Sequence, residues 1–350
     1  MDKKMRVAVM FGGKSSEHDI SCLSAKTIVK ALDRNKYEVF CIFLDRAGRW
    51  HSWEKDMDDF SEEAACAGGE AALLPGEGRR AVLLRGGERQ EIDVVIPVFH
   101  GLNGEDGTIQ GFLETVGVPY VGCGVRASAC SMDKLTTKLV VGALGIRQAQ
   151  YVSIVGSQLR EKEERMNLAE EKLGYPMFVK PSNAGSSIGV SRACSREELS
   201  RAIDLAAEND SRILIEEMID GREIECAVLG NREPEASGVG EILAADTFYS
   251  FDAKYSNEES RTVVDPELPE GVAEELRRDA RAIFMALDCR GLSRVDFFVE
   301  KGTNQVVFNE INTFPGFTSI SMYPMLWQNR GLSLQQLVDR LVELAFEDRG

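Results

Sequence analysis

The sequence predicts an α/β protein whose N-terminal part is a doubly wound layer, followed by two further units. Three observations support this fold class. The 350 residues exceed the size of one ordinary domain, so two or three domains are expected. Apolar runs typical of strands alternate with segments of helical periodicity, as in proteins built largely on parallel sheet. Finally, Val94–Phe99 is a short apolar run of the kind that is buried on both faces of such a sheet.

The first unit is predicted to span residues 1–126. Its expected strands and helices alternate along the chain: strand Arg6–Phe11, helix Ile20–Asp33, strand Tyr37–Leu44, strand Val94–Phe99 and helix Thr108–Val116. This order is typical of a doubly wound, Rossmann-like layer. The segment Asp56–Gly78 is rich in Glu, Ala and Gly, and we expect it to carry a surface excursion.

The remaining chain is predicted to form a central unit, residues 127–218, and a C-terminal unit, residues 219–350. The central unit should begin near Ser128 and contain a helix that ends at Leu144, the strand Met177–Lys180 and the helix Arg196–Glu208. The C-terminal unit should contain the strand Glu223–Leu229, a polar loop at Tyr249–Asp265, a helix within Glu267–Leu287, a β-hairpin and a closing amphipathic helix, Leu332–Phe346.

Composition excludes several classes of function. The formal net charge of −16 argues against non-specific binding to nucleic acid or to an anionic membrane. No run approaches the roughly 20 apolar residues of a membrane span. The apolar run Met5–Phe11 is ended at once by Gly12 and Gly13, so we expect a first strand there and not a signal peptide. Eight scattered cysteines without C-x-x-C spacing predict a reducing cytosol, with neither a disulfide framework nor a zinc site.

The predicted hairpin near the C-terminus carries the strongest chemical signal. Its strands hold Arg294–Phe298 and Phe308–Asn312. Residues two apart on a strand share a face, so Glu310 and Asn312 point the same way, and Asp296 on the partner strand can face them. Two carboxylates and an amide oxygen suit Mg²⁺, and Arg294 suits a phosphate or a developing negative charge. The alternative is an ordinary hairpin with polar faces.

Two glycine-containing segments follow predicted strands of the first unit. Gly13-Lys14-Ser15 resembles part of a P-loop, but Ala8 stands where that motif needs glycine. Glu17, in the same segment, is a candidate for binding an ammonium group, although the segment could simply cap a helix. His100 begins a loop with three glycines at the sheet edge where open α/β sheets bind ligands. A plain glycine turn, with His100 capping the strand, is the alternative.

Two segments of the central unit carry further candidates. The loop after Lys180 contains Ser186 and Ser187, and its backbone N–H groups and hydroxyls can cover phosphates while Lys180 supplies charge. The loop matches G-x-S-x-G formally, but a serine hydrolase needs a histidine downstream and the last histidine is His100. Glu216 and Glu223 flank a tight turn between two strands, where they could bind an exocyclic amine and a ribose hydroxyl. A solvated acidic turn is the alternative there.

Taken together, these segments resemble the D-alanine–D-alanine ligases of the ATP-grasp superfamily. The resemblance extends in order across nearly the whole chain, through GGKSSEHDIS, HGLNGEDG, MDKLTTK, KPSNAGSSIG, EEMIDGRE, FDAKY, SRVDFF and NEINTFPGFTSIS. It implies a three-domain ATP-grasp fold and a reaction in two steps. ATP phosphorylates the carboxylate of one D-alanine, and the amine of a second D-alanine attacks the resulting acyl phosphate. The product serves peptidoglycan synthesis.

The resemblance also implies roles for individual residues. The nucleotide and metal positions are Lys134, Lys180 and Ser187 for the ATP phosphates, Lys254 for the γ-phosphate, Glu216 and the backbone of Ile219 for adenine, Glu223 for ribose, and Asp296, Glu310 and Asn312 for two Mg²⁺ or Mn²⁺ ions. The amino-acid positions are Glu17 and His100 for the first D-alanine, Ser321 and Met322 for the second, Arg294 and the Gly316 N–H for the oxyanion, and Tyr255, Ser186 and Glu17 as a hydrogen-bonded triad.

The same resemblance implies a cytoplasmic homodimer and bears on the second substrate. Tyr255 stands where dipeptide-forming members carry tyrosine, and Met322 stands where D-serine ligases tend to carry arginine. Both favour D-alanine over D-lactate or D-serine, and ligases of those two acceptors are the nearest alternative. A nucleotide-binding regulator that keeps the fold without the reaction is the alternative from another class. Phe251, where tyrosine is common, is a departure that leaves the chemistry untouched.

Overall fold

Four β-sheets organise the protein in the computed structural model, which describes residues 3–186, 188–243 and 261–347. The strands are β1 Met5–Gly12, β2 Tyr37–Leu44, β3 Trp50–Trp53, β4 Ala71–Pro75, β5 Ala81–Arg85, β6 Glu88–Ile92, β7 Val94–Val98, β8 Tyr151–Val155, β9 Met177–Pro181, β10 Ser191–Ala193, β11 Arg212–Glu217, β12 Gly221–Gly230, β13 Glu235–Leu243, β14 Arg261–Val264, β15 Gly291–Glu300 and β16 Val306–Asn312. The helices are α1 His18–Ala31, α2 Glu62–Cys66, α3 Thr108–Val116, α4 Val125–Met132, α5 Lys134–Ala143, α6 Lys162–Leu173, α7 Arg196–Ala207, α8 Val272–Ala286, α9 Met322–Asn329 and α10 Leu334–Leu344, with short 3₁₀ turns at Met57–Asp59 and Gly156–Glu161.

The first sheet confirms the predicted doubly wound layer. Its order is β3-β2-β1-β7, with β1 parallel to both β2 and β7. Side chains of β1 alternate between two cores, because successive residues of a strand point to opposite faces. Val7 and Val9 pack in the core that contains α1, whereas Ala8 and Met10 pack in the core that contains α3. Helices therefore cover both faces of the sheet.

The predicted excursion Asp56–Gly78 is more regular than expected. It contains a 3₁₀ turn, the short helix α2 and the strand β4, and β4 begins a three-stranded antiparallel sheet of order β4-β5-β6. This sheet was not predicted from the sequence: β4 and β5 are short apolar runs of five residues each, and β6 is mostly polar. In β6, Glu-Arg-Gln-Glu-Ile, only the final Ile92 is buried.

The central sheet has the order β10-β9-β11-β8 and is antiparallel throughout. Helices α6 and α7 supply the side chains that pack against it. The predicted helix that ends at Leu144 is α5, and a separate helix, α4, precedes it. They part at Asp133, whose extended backbone (φ −79°, ψ 98°) and side chain, which accepts a hydrogen bond from the Thr136 N–H, begin the second helix as an N-cap.

The C-terminal sheet has the order β14-β13-β12-β15-β16 and contains the predicted hairpin. Helix α8 packs on one face of this sheet. Helices α9 and α10 share a core with α1 and β1, so they join the C-terminal sheet to the N-terminal layer. Of the predicted polar loop Tyr249–Asp265, residues 249–260 lie outside the described residues, and Arg261–Val264 forms β14. Among the described helices, none has the length and apolar character that a bilayer span requires.

Candidate active site

One cavity of about 610 Å³ lies between the central and C-terminal sheets and reaches the edge of the N-terminal layer. Its walls contain most of the residues that the sequence singled out. These are Glu17, His100, Lys134, Lys180, Ser186, Glu216, Ile219, Glu223, Arg294, Asp296, Glu310, Asn312 and Gly316. Residues far apart in the chain therefore meet at one place.

The hairpin presents its polar residues on one face towards this cavity. Asp296 pairs directly with Glu310 across the two strands, and Arg294 pairs with Asn312. Directly opposed residues share a face, as do residues two apart on one strand. The register shifts between Asp296 and Phe297, which leaves Asn309 as the extra residue of a bulge. The predicted common face of the acidic and amide side chains is therefore present.

Cations neutralise the hairpin carboxylates in this structure. Arg294 donates to both oxygens of Asp296, from Nε to Oδ1 at 2.8 Å and from Nη2 to Oδ2 at 2.7 Å. Asn312 Nδ2 also donates to Asp296 Oδ2 at 3.0 Å, and Lys134 Nζ lies 3.8 Å from Glu310 Oε2. Burial opposes the charge of Arg294, but Asp296 and Glu225 outweigh it and raise its pKa well above the usual value. The two carboxylates and the amide oxygen fit a hard divalent cation such as Mg²⁺ or Mn²⁺.

Two lysines form ion pairs with the buried carboxylate of Glu216. Lys138 Nζ lies 2.5 Å from its Oε1 and Lys180 Nζ lies 2.7 Å from its Oε2. Burial alone would raise the pKa of Glu216, but the two ammonium groups outweigh burial and lower it to about 2. Lys180 in turn keeps a raised pKa, because the attraction of Glu216 exceeds the effect of burial. Lys138 was missed by the sequence analysis, where it appeared only as one letter of MDKLTTK.

A three-residue link, Met218–Asp220, joins the central sheet to the C-terminal sheet beside the cavity. Ile219 in the link and Glu223 at the start of β12 line the cavity, together with the rings of Phe178 and Phe298. Aromatic side chains in the wall of a cavity suit a flat heterocycle.

The loops of the N-terminal layer bring Glu17 and His100 to the other end of the cavity. Oε2 of Glu17 lies so close to Gly101 and Gly185 that a Cβ on either residue would approach it to 2.6 Å or 2.9 Å. Both nitrogens of the buried His100 ring are engaged, Nδ1 with the Phe314 carbonyl at 3.0 Å and Nε2 with Ser24 Oγ at 3.1 Å. Burial lowers the pKa of His100, so the ring is held neutral.

Of the remaining predicted residues, the structure describes Ser186, Ser321 and Met322. Ser186 has a left-handed backbone (φ 51°), and its buried Oγ has no hydrogen-bond partner among the described residues. Ser321 Oγ accepts the Thr318 N–H and lies 2.9 Å from where a Cβ on Gly316 would stand. Met322 is buried in the core shared with α1, with its sulfur against Gly240, and its role at the second substrate stays a prediction. Ser187, Lys254 and Tyr255 lie outside the described residues.

Glu105 is a cavity residue that the sequence analysis left without a role. It is partly buried and its oxygens accept hydrogen bonds from the backbone N–H groups of Gly101, at 2.9 Å, and Phe314, at 3.0 Å. Burial, reinforced by the nearby Glu17, raises its pKa to about 7. Its place in HGLNGEDG was the available signal, but the contact with Phe314 spans 209 positions of sequence.

Comparison with known proteins gives one consistent result. The family model described as "D-ala D-ala ligase N-terminus" matches residues 6–123, and "D-ala D-ala ligase C-terminus" matches residues 140–343. The chain is 46% identical to the D-alanine–D-alanine ligase of Acetivibrio thermocellus, covering 99% of this chain and 97% of that protein. It is 45% identical to that of Ruminiclostridium cellulolyticum, with coverage of 98% and 96%.

Solved structures agree with the sequence relatives. The D-alanine–D-alanine ligase of Coxiella burnetii superposes with a TM-score of 0.87 at 36% identity, covering 98% of this chain and 94% of that one. The VanG D-Ala:D-Ser ligase of Enterococcus faecalis gives a TM-score of 0.88 at 34% identity, covering 98% and 100%.

Proposed function

The chain belongs to the D-alanine–D-alanine ligase family, and from this premise we propose how its residues carry out the reaction. The protein is an ATP-dependent ligase that joins two D-alanines for peptidoglycan synthesis. The γ-phosphoryl group moves to a carboxylate oxygen of the first D-alanine, and ADP leaves. The amine of the second D-alanine then attacks the carbonyl carbon and loses a proton, and inorganic phosphate leaves. The observation that carries the proposal is the single cavity that joins Glu17, Lys180 and the oxygen face of the hairpin.

The nucleotide is assigned to the space between the central and C-terminal sheets. In this proposal Lys134, Lys180, Ser187 and Lys254 bind the phosphates, while Glu216 and the Ile219 backbone face adenine and Glu223 binds ribose. The two lysines that hold Glu216 give it a second task, because its carboxylate keeps Lys180 charged and in place. Phe178 and Phe298 supply apolar walls for the base.

The metal site is assigned to Asp296, Glu310 and Asn312. Two Mg²⁺ or Mn²⁺ ions held there would neutralise the phosphate oxygens. The oxygens fit such ions because they share one face of the hairpin, with Asp296 directly opposite Glu310 and Asn312 two residues further along the same strand. Arg294 contacts the same carboxylate face, so it is placed to meet charge that develops on a substrate oxygen.

The amino-acid substrates are assigned to the end of the cavity nearest the N-terminal layer. Glu17 binds the ammonium group of the first D-alanine, with His100 nearby, and Arg294 with the Gly316 N–H stabilises the oxyanion, a type of donor worth about 10²–10³ in rate. Ser321 and Met322 are assigned to the second D-alanine by the family resemblance alone, since Met322 is buried against Gly240 and neither is among the described residues that line the cavity. Tyr255, Ser186 and Glu17 form a triad that orients both substrates, a role that gives the buried Oγ of Ser186 a partner. Closure over the cavity excludes water, which would hydrolyse the acyl phosphate.

Domain limits, assembly and location complete the proposal. We assign residues 1–126 to a Rossmann-like domain, 127–218 to the central subdomain and 219–350 to the catalytic domain, in a cytoplasmic homodimer. The partners are ATP and two D-alanines, with no nucleic acid and no membrane.

Acceptor specificity and metal dependence can be tested together. We expect ADP release with D-alanine alone, a product with the mass and chirality of D-alanyl-D-alanine, and no turnover when EDTA removes divalent ions. D-Lactate or D-serine, each added with D-alanine, should leave the dipeptide as the main product. Little turnover with D-alanine alone, or a predominant ester or D-Ala-D-Ser product, would contradict the proposed acceptor.

A further inference from the structure

Three side chains of the N-terminal layer hold the backbone on both sides of Gly316. Glu105 Oε1 accepts the Phe314 N–H at 3.0 Å, His100 Nδ1 meets the Phe314 carbonyl at 3.0 Å, and Ser24 Oγ accepts the Phe317 N–H at 3.1 Å. Resting on the function proposed above, we propose that Glu105 and Ser24 are positioning residues, which act through this backbone to aim the Gly316 N–H at the reacting carbonyl. Neither residue was assigned a role by sequence or by resemblance.

The hydrogen bonds on the Ser24 side have one consistent direction. The Phe317 N–H can only donate, so Ser24 Oγ accepts from it. The Ser24 hydroxyl is then free to donate to His100 Nε2, and Nδ1–H of His100 donates to the Phe314 carbonyl. This order requires a neutral ring, which is the state that burial favours for His100. Each of the three donors, the Phe317 N–H, the Ser24 hydroxyl and the His100 Nδ1–H, therefore has one acceptor.

Glu105 holds the segment Phe314–Phe317 at its N-terminal end, opposite the contact of Ser24 with Phe317. One of its oxygens binds the Phe314 N–H and the other binds the Gly101 N–H, so the carboxylate ties the loop after β7 to the end of the hairpin. Both oxygens must accept. An amide in the same place offers only one acceptor oxygen, and its NH₂ group would face one of the two N–H donors.

The segment Phe314–Phe317 is so short that holding its two end residues also restricts the backbone of Gly316. Only Pro315 and Gly316 lie between Phe314 and Phe317, whose side chains are buried. Proline restricts the backbone further. A Cβ on Gly316 would come within 2.9 Å of Ser321 Oγ. A small rotation of this segment would misdirect the Gly316 N–H, whose stabilisation of the oxyanion depends on pre-organisation.

The direct test compares Glu105→Gln with Asp106→Asn. Asp106 is the neighbouring acid and also accepts two backbone N–H groups, but both, from Asn103 and Thr108, lie within three residues of it in the chain. Above pH 7, where the Glu105 carboxylate is ionised, we expect Glu105→Gln to lower kcat by about ten- to a hundredfold, the value of one or two charge-assisted hydrogen bonds. KM for ATP should stay within about twofold. Asp106→Asn should change kcat by less than about threefold.

Ser24→Ala tests the same segment from the opposite side and decides the question if Glu105→Gln fails to fold. It should lower kcat by about tenfold, with KM for ATP unchanged. An unchanged kcat in either folded variant overturns the inference, as does a loss in Asp106→Asn equal to that in Glu105→Gln. A wild-type protein that makes no D-alanyl-D-alanine would instead refute the proposed function, so the two failures are distinguishable.

Discussion

Replacing Glu216 by Gln should destabilise the fold strongly, because it leaves two lysines facing each other without their shared counter-charge. Glu216 and Lys138 are each at least nine-tenths buried. The Nζ atoms of Lys138 and Lys180 lie 2.5 Å and 2.7 Å from the two carboxylate oxygens. The substitution changes the volume of the side chain little, so the effect isolates the charge.

The magnitude follows from the balance of attraction and burial. At an effective dielectric constant of about 20, each contact near 2.6 Å is worth about 6 kcal/mol of attraction. The cost of removing the three charged groups, Glu216, Lys138 and Lys180, from water offsets much of this attraction. The measurable quantity is therefore the loss of folding free energy when Glu216 loses its charge, about 3–5 kcal/mol. The lowered pKa of Glu216, from 4.5 to about 2, corresponds to about 3 kcal/mol by linkage, in the same range.

The assay is urea unfolding of the wild type and three variants at pH 7. Asp220→Asn is the matched control, because Asp220 makes an exposed pair with Lys301 only four positions from Glu216, and such pairs contribute at most about 1 kcal/mol. The double variant Glu216→Gln/Lys138→Met should be more stable than Glu216→Gln alone, since it removes one of the uncompensated charges. The reasoning is refuted if Glu216→Gln is no less stable than Asp220→Asn, or if the double variant is less stable than Glu216→Gln.

The pH dependence has a definite sign. Because the pKa of Glu216 is lowered in the folded state, its carboxylate stabilises the fold fully above pH 4.5, and this contribution is lost as the pH falls towards 2. The difference in stability between the wild type and Glu216→Gln should therefore shrink across that window. A difference that stays constant down to pH 2.5 would show that the charge is not its cause.

Three further predictions concern the reaction. Gly185→Ala should raise KM for D-alanine by about tenfold, because its Cβ would stand 2.9 Å from Glu17 Oε2. The control Gly238→Ala, where nothing lies within 4 Å of the new Cβ, should leave KM for D-alanine unchanged. Equal KM values in both variants would contradict this prediction. Glu310→Gln should lower ADP release by at least about a hundredfold at saturating Mg²⁺, while the unfolding midpoint stays near that of the wild type; retained turnover would exclude Glu310 as a metal ligand. Tyr255→Phe should raise the ratio of ester to dipeptide in competition between D-lactate and D-alanine, and an unchanged ratio would refute the assigned specificity.

The sequence was sufficient where function depends on local periodicity. The face shared by Asp296, Glu310 and Asn312 follows from the two-residue repeat of a strand and a short turn, and the register bears it out. Strands β1 and β7 of the first sheet were predictable for another reason, because their continuous apolar runs are buried on both faces, whereas the edge strand β3 was not predicted. Locally polar strands such as β6 left no comparable signal.

Contacts between distant segments could not be predicted in this way. Lys138 reads as one polar position of a helix, and only the fold shows that it meets Glu216. The acceptor role of Glu105 towards Phe314 likewise depends on how the N-terminal layer docks on the hairpin.

The cationic side chains of the cavity contact carboxylates of the protein and would also contact the phosphates of the nucleotide, and this explains how an acidic protein binds a polyanion. With a net charge of −16, the chain repels a triphosphate at long range, so binding depends on a few buried cations. Arg294 is paired with Asp296, and Lys180 with Glu216. A divalent ion on the hairpin oxygens would take over the neutralisation of Asp296 and release part of the charge of Arg294 for substrate oxygens. Lys180 keeps its charge because Glu216 stays buried beside it. The acidic residues therefore hold the cations charged and in place until the nucleotide and metal arrive together, and nucleotide binding without a divalent ion should be weak.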